Sequence, residues 1–150
     1  MLVIKNLEIT EVQLTDIDEI YNIEIENFKF PWSRHFFIFN LQLPNELSKF
    51  YIAKIENEVI GYIICWISGE TAHIHNLSVK KSYQNLGVGS ALLDFLLHKL
   101  RSGGITTVTL EVGVNNSSAI KFYKKFGFNI VLTKSKFYND EDAFLMMKEL

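Results

Sequence analysis

The chain reads as a mixed α/β protein, and three observations predict it. Runs with strand character at residues 50–55, 59–68 and 71–79 follow one another with only short turn signals between them, the pattern of a meander. From residue 88 to 100 the pattern turns helical, with polar residues only at Ser90, Asp94, His98 and Lys99. The second half then alternates strand, helix and strand, which calls for crossover connections.

Each element has a local reason. Residues 2–12 alternate well enough for a first strand. Thr15 or Asp16 can cap a helix that runs through Ile17, Ile20, Tyr21 and Ile25. Pro31-Trp32-Ser33 breaks the chain. Ser33 can cap a second helix through Phe37 and Leu41, and Pro44-Asn45 ends it. Asn57-Glu58 and Gly69-Glu70 mark the turns of the meander. The third helix, from Val88, carries one narrow wet stripe, as a mostly buried helix does, and Gly103-Gly104 stops it. Residues 106–112 form the next strand. Asn116 can cap a fourth helix with Ala119, Ile120, Tyr123 and Phe126 on one side and Lys121, Lys124 and Lys125 on another, which Gly127 stops. Residues 128–136 and 142–148 close the chain as two more strands.

Bulk properties narrow the function. The 150 residues fit one domain spanning 1–150, with no linker-like stretch and no internal repeat. Fifteen basic and 17 acidic side chains give a net charge of -2, which removes the electrostatic case for nucleic acid. The single cysteine, Cys65, lies in an apolar run and reads as a small core residue in a reducing compartment. No basic-then-apolar leader opens the chain and no apolar run reaches bilayer length, so the expectation is a soluble cytoplasmic protein without a membrane partner. His73 and His75 share one face of their strand. No further ligand stands at a telling spacing, so no metal is expected; a structural pair, or one histidine near a substrate, is the better reading. His35 and His98 read as ordinary helix residues.

The chemistry concentrates in a few segments. Gln84-Asn85-Leu86-Gly87-Val88-Gly89, leading into Ser90, joins a strand to a helix. Such a turn points several N–H groups at one spot, which suits a pyrophosphate, and the glycines let a ligand approach the backbone. No Lys-Ser/Thr follows, so this is not a nucleoside-triphosphate loop, and no third glycine completes a dinucleotide fingerprint. By itself the pair of glycines also fits a helix start packed tightly on a sheet. Downstream, Leu110-Glu111-Val112, Asn115-Asn116 and Phe122-Tyr123 supply a carboxylate, an amide and a phenol. By pattern alone, Glu111 in step with Thr107 and Thr109 also fits a solvated strand face. Tyr123 beside Ala119 and Ile120 also fits a core tyrosine.

Gln84-x-x-Gly87-x-Gly89, after a strand ending Asn76-Leu77-Ser78-Val79, resembles motif A of the GNAT acetyltransferase superfamily. Asn116, Tyr123 and Phe126-Gly127-Phe128 resemble its motif B. Phe30-Pro31-Trp32-Ser33, Leu110-Glu111-Val112 and the run from Lys136 to Ala143 resemble the N-terminal-amine acetyltransferases, which include the RimI-type ribosomal-protein-alanine enzymes and archaeal relatives. The resemblance covers nearly the whole chain. It implies a twisted mixed sheet of about seven strands, flanked by helices and splayed between strands four and five. It also implies acetyl-CoA as co-substrate and protein N-termini, a ribosomal protein among them, as partners, with the chain a monomer or weak dimer.

The same resemblance implies site residues. The cofactor would lie against Leu77, Ser78, Val79, Gln84, Asn85, Leu86, Gly87, Val88, Gly89, Ser90 and Asn116, with the backbone of Leu77 and Val79 pairing its pantetheine arm. Glu111 would be the base, directly or through a water, and Tyr123 the acid. Phe28, Pro31, Trp32 and Tyr138 would wall the peptide groove. Phe28 and Trp32 also fit as fasteners of the first two helices. Glu24 and Glu26 read as surface charge or as holders of the incoming amine. The chain departs from the pattern at Asn85, where many members carry Arg, and at Gly113 and Asn115. Lysine or a small amine such as a polyamine as acceptor, and an acyl-CoA sensor without turnover, are the alternatives.

Overall fold

The computed structural model describes residues 4–138 and 141–150, with backbone only at 136–138. Its strands are β1 (Glu8–Glu11), β2 (Ser48–Ile55), β3 (Glu58–Ser68), β4 (Thr71–Val79), β5 (Thr107–Gly113), β6 (Asn129–Tyr138) and β7 (Glu141–Glu149). Its helices are α1 (Ile17–Asn27), α2 (Arg34–Gln42), α3 (Val88–Ser102) and α4 (Ser117–Lys125). The seven strands form one sheet in the order β1-β2-β3-β4-β5-β7-β6. Only the β4–β5 pair is parallel. The mixed sheet and flanking helices are those expected.

Several boundaries move for physical reasons. The first strand spans Glu8–Glu11, laddered to β2 with Glu11 opposite Tyr51, and the Val12 N–H still bonds to the Phe50 carbonyl of β2; residues 2 and 3 of the expected strand lie outside the described residues. Asp16 starts α1 without a side-chain cap on it. Its carboxylate instead accepts the Gln13 N–H at 2.8 Å and pairs with Lys54 Nζ at 3.0 Å. Ser33 caps α2 as expected, accepting from the Phe36 N–H. The β2–β3 turn centres on Glu56 and Asn57, both with positive φ, which is the two-residue turn whose twist matches antiparallel strands.

Two apolar clusters sandwich the sheet. One face packs on α3 through Val88, Leu92, Leu93, Leu96, Leu97 and Leu100; full burial of each such side chain contributes roughly 1.5–3 kcal/mol. The other packs on α1 and α2 through Ile17, Ile20, Ile23 and Phe37. Ile25, one of the apolar positions through which α1 runs, is exposed, because the buried stripe passes through Ile17, Ile20, Ile23 and Glu24. Cys65 is fully buried, and burial pushes its thiol up to about 12, which suits a core residue and not a nucleophile.

Two irregularities in β4 shape the site. Cys65 and Ile64 of β3 pair with Ile74 and Asn76, so His75 is the extra residue of a bulge. The bulge switches the buried residues from one face to the other. Ala72 and Ile74 pack toward α3, whereas Asn76 and Ser78 bond to α1 side chains. Beside it, β4 and β5 pair from Thr71↔Thr107 only to Ile74↔Leu110, although both strands run on. The sheet is therefore splayed between its fourth and fifth strands, as the resemblance implies.

Candidate active site

The upper half of β4 presents backbone to the splay. The Lys80 N–H bonds to the Ile60 carbonyl of β3, so by alternation Ser78 also faces β3, while Leu77 and Val79 turn their peptide groups to the open side. Ser78 is engaged inward too, its Oγ accepting from Asn27 Nδ2 at 2.6 Å. The Val79 carbonyl accepts from Asn27 Nδ2 at 2.8 Å and from Gln84 Nε2 at 2.9 Å. Gln84 thus ties the following turn to the strand end.

That turn is built for close approach. Asn85 and Gly87 adopt positive φ, 63° and 93°, and Gly87 starts α3 with no side-chain cap. The first N–H groups of α3, at Val88, Gly89 and Ser90, have no carbonyl one turn earlier in the helix to bind. A Cβ on Gly89 would lie 3.7 Å from Val79 and 3.8 Å from Phe122, ordinary contact distances. The protein's own packing therefore does not require glycine there, whereas a ligand seated against the backbone would. Leu86 and Asn85 complete the turn. These residues fit a pyrophosphate and an extended arm running along Leu77 and Val79.

Across the sheet, three ionisable side chains converge on the α1–α2 face. Glu111 Oε2 pairs with His73 Nε2, and Glu111 Oε1 receives Lys134 Nζ at 2.9 Å from β6, across β7. The other ring nitrogen of His73 lies 2.7 Å from Thr109 Oγ1. His75 makes an edge contact with His73 and lies against Trp66, with ring centroids 5.1 and 4.1 Å apart. Burial, and secondarily the neighbouring His73, lowers its pKa to about 4, so it is neutral at pH 7. His73, His75, Trp66, Ile67, Ser68 and Thr71 line an open cavity of about 350 Å³. The two histidines do share one side of the strand. Among the described residues no group of three metal-ligating side chains occurs.

Tyr123 sits on α4, half-buried, edge-on to Phe122 and Phe128 and packed against the α3-side core. The Asn116 side chain caps that helix, accepting the Ala119 N–H at 3.3 Å. Glu111 and Tyr123 therefore lie on opposite faces of the sheet. Lys121, Lys124 and Lys125 are solvent-exposed, as expected of a solvated face.

The acceptor side holds the largest departure from expectation. Glu24, read as surface charge or amine holder, is 1% exposed. It sits four residues after Ile20, on the buried stripe of α1; an acidic residue at a core-facing spacing was the signal available for it. Its carboxylate accepts the Trp32 N–H at 2.8 Å, Asn76 Nδ2 at 2.8 Å and the Tyr62 hydroxyl. Trp32 is 46% exposed, stacks on Phe36 at 4.3 Å, and donates its indole N–H to Asn76 Oδ1 at 3.1 Å. Phe28 and Pro31 are also exposed beside it, and Glu26 is exposed as surface charge. Tyr138 ends β6 opposite Glu141; its side chain, with Asn139 and Asp140 of the resemblance motif, lies outside the described residues.

The family model for the acetyltransferase (GNAT) family matches residues 17–128. The chain belongs to that family. It is an acyltransferase. This GNAT chain is 32% identical to the N-alpha-acetyltransferase of Sulfurisphaera tokodaii, with 97% of this chain and 95% of the relative covered. It is 30% identical to the [ribosomal protein bS18]-alanine N-acetyltransferase of Escherichia coli strain K12, with 92% and 94% covered. The crystal structure of Ard1 from Thermoplasma volcanium superposes with a TM-score of 0.89 at 28% identity, covering 96% of this chain and 97% of that one. Among the described residues, no helix is long and apolar enough to cross a membrane.

Proposed function

We propose that this GNAT protein transfers the acetyl group of acetyl-CoA to the N-terminal α-amine of protein chains. The observation that carries the reading is the Glu111–His73–Lys134 cluster beside the splay, on the same face as an exposed aromatic turn at Phe28, Pro31 and Trp32. Relatives named for α-amine acetylation support it. So does the acid–base arithmetic: an α-amine has a reference pKa near 8 and lysine one near 10.4, so at neutral pH the α-amine yields its proton more readily.

In this reading the turn at Asn85–Ser90 receives the pyrophosphate, with Leu77 and Val79 pairing the arm in strand fashion. Acetyl-CoA supplies the acetyl thioester. Glu111, with His73 behind it, takes the proton from the incoming ammonium, directly or through a water. A backbone N–H at the splayed end of β4 faces the developing oxyanion. Tyr123 gives a proton to the departing sulfur. We take 1–150 as one catalytic domain, whose described strands form a single sheet.

The test is mass spectrometry of peptides incubated with acetyl-CoA and the protein. The panel varies the first residue and includes N-blocked peptides carrying a free lysine, with polyamines run alongside. Acetylation of free N-termini alone is the expected result. Product only on lysine or polyamines overturns the α-amine reading.

A further inference from the structure

Glu24 stands at a junction. It reaches the α1–α2 turn through the Trp32 N–H, β4 through Asn76, and β3 through Tyr62. Asn76 closes a second circuit, since it also accepts the Trp32 indole N–H at 3.1 Å. Trp32 is thereby fixed at its backbone by one group and at its ring by another, and both lead back to a single carboxylate. Asn76 directly follows the bulge and precedes Leu77, so the same network touches the strand segment that frames the splay. All three groups on Glu24 donate, which suits an ionised carboxylate even though burial works against the charge. Burying a carboxylate that a leucine could replace in packing is not what core stability asks for. What the carboxylate supplies is a fixed direction.

We propose that Glu24 is a positioning residue: it clamps the exposed Phe28–Trp32 turn to β4 and so sets the acceptor wall of the cleft against the cofactor-binding strand. The proposal rests on the reading of that turn as the peptide wall. Removing the clamp leaves the 84–89 turn untouched, because that turn is tied to α1 and β4 through Asn27 and Gln84 instead. The effect of losing Glu24 therefore falls on the acceptor and not on acetyl-CoA.

Two readouts test it on the full chain. Glu24→Gln keeps the shape but places an NH2 against at least one of the three donors. With a free-N-terminus peptide, its KM for peptide should rise about tenfold or more, a size consistent with a misplaced substrate wall. Its KM for acetyl-CoA should stay within about twofold, since the contacts of the 84–89 turn are unchanged. The second readout does not use activity. In a Trp66→Phe background Trp32 is the sole tryptophan of the chain's two. Adding Glu24→Gln should then introduce a fast local component into the time-resolved anisotropy of Trp32. Tyr62→Phe, which removes one donor and keeps the ring, should move both readouts in the same direction by less, and it decides the matter if circular dichroism shows Glu24→Gln misfolded. Unchanged peptide KM in a folded variant overturns the positioning role. Equal changes in both KM values overturn it too. Should the wild type acetylate only non-peptide amines, the functional reading fails, while rigid or mobile Trp32 still upholds or overturns the clamp.

Discussion

The turn at residues 84–89 offers a ligand backbone N–H groups and space, whereas the α1–α2 face of the sheet offers side chains: Glu111 held by His73 and Lys134, and Glu24 held by Tyr62, Asn76 and Trp32. The first arrangement is contiguous in sequence. The second is assembled from residues 24, 32, 62, 73, 76, 111 and 134, which only the sheet brings together. A backbone cradle suits a cofactor that is the same in every turnover. A side-chain face can be altered position by position to suit an acceptor without disturbing the cradle.

The comparison breaks most sharply at Gly89. A glutamate there would set bulk and negative charge at the start of α3, where the helix N-terminus favours an anion. Gly89→Glu should weaken acetyl-CoA binding by more than about 100-fold, as calorimetry would measure, given the several hydrogen bonds at stake. Because a Cβ meets only ordinary contacts at that site, the fold should survive, and circular dichroism should match the wild type. An unchanged dissociation constant would reject the cradle. Next comes Tyr123→Phe, which should lower kcat by about 10²-fold with little change in cofactor binding, the size typical of a lost general acid. Near wild-type kcat would remove Tyr123 from the acid role.

A smaller effect sharpens the acceptor side. His75 is held neutral in the folded protein, with its pKa near 4 against an ordinary value of 6.5. Unfolding lets it take up a proton between those values. Its contribution to stability is therefore complete above pH 6.5 and is lost as pH falls through 4. Glu24, raised by burial, contributes with the opposite sign, so the comparison must be between variants. The wild type should lose Tm more steeply than His75→Phe between pH 6.5 and 4. Parallel slopes in thermal scans would contradict a half-buried imidazole held neutral by its surroundings.

These differences also explain what the sequence disclosed. The meander, α3 and the crossover strands were legible because each follows from local period and turn chemistry. The glycine turn was legible because backbone conformation leaves a residue-type signature. Ser33 and Asn116 were readable as caps for the same reason. Glu24 was misread as surface charge because its partners lie 8, 38 and 52 residues away. The His75 bulge was invisible because nothing in Thr71–Val79 marks an extra residue, yet it turns Asn76 and Ser78 toward α1. The shared face of His73 and His75 was read from alternation, but the pairing of His73 with Glu111 depends on β4 and β5 being parallel neighbours, which only the topology settles. Trp32 was left open between groove wall and fastener; it is bonded to Asn76 and stacked on Phe36 while nearly half of it remains exposed.

The most direct test of the division between a backbone cradle and a side-chain acceptor face is one variant measured two ways. Glu111→Gln should keep the dissociation constant of acetyl-CoA within about twofold while kcat for a free-N-terminus peptide falls by about 10²–10⁴-fold, the range of a lost general base. A dissociation constant that weakens in step with kcat, or a kcat near the wild-type value, would contradict the account.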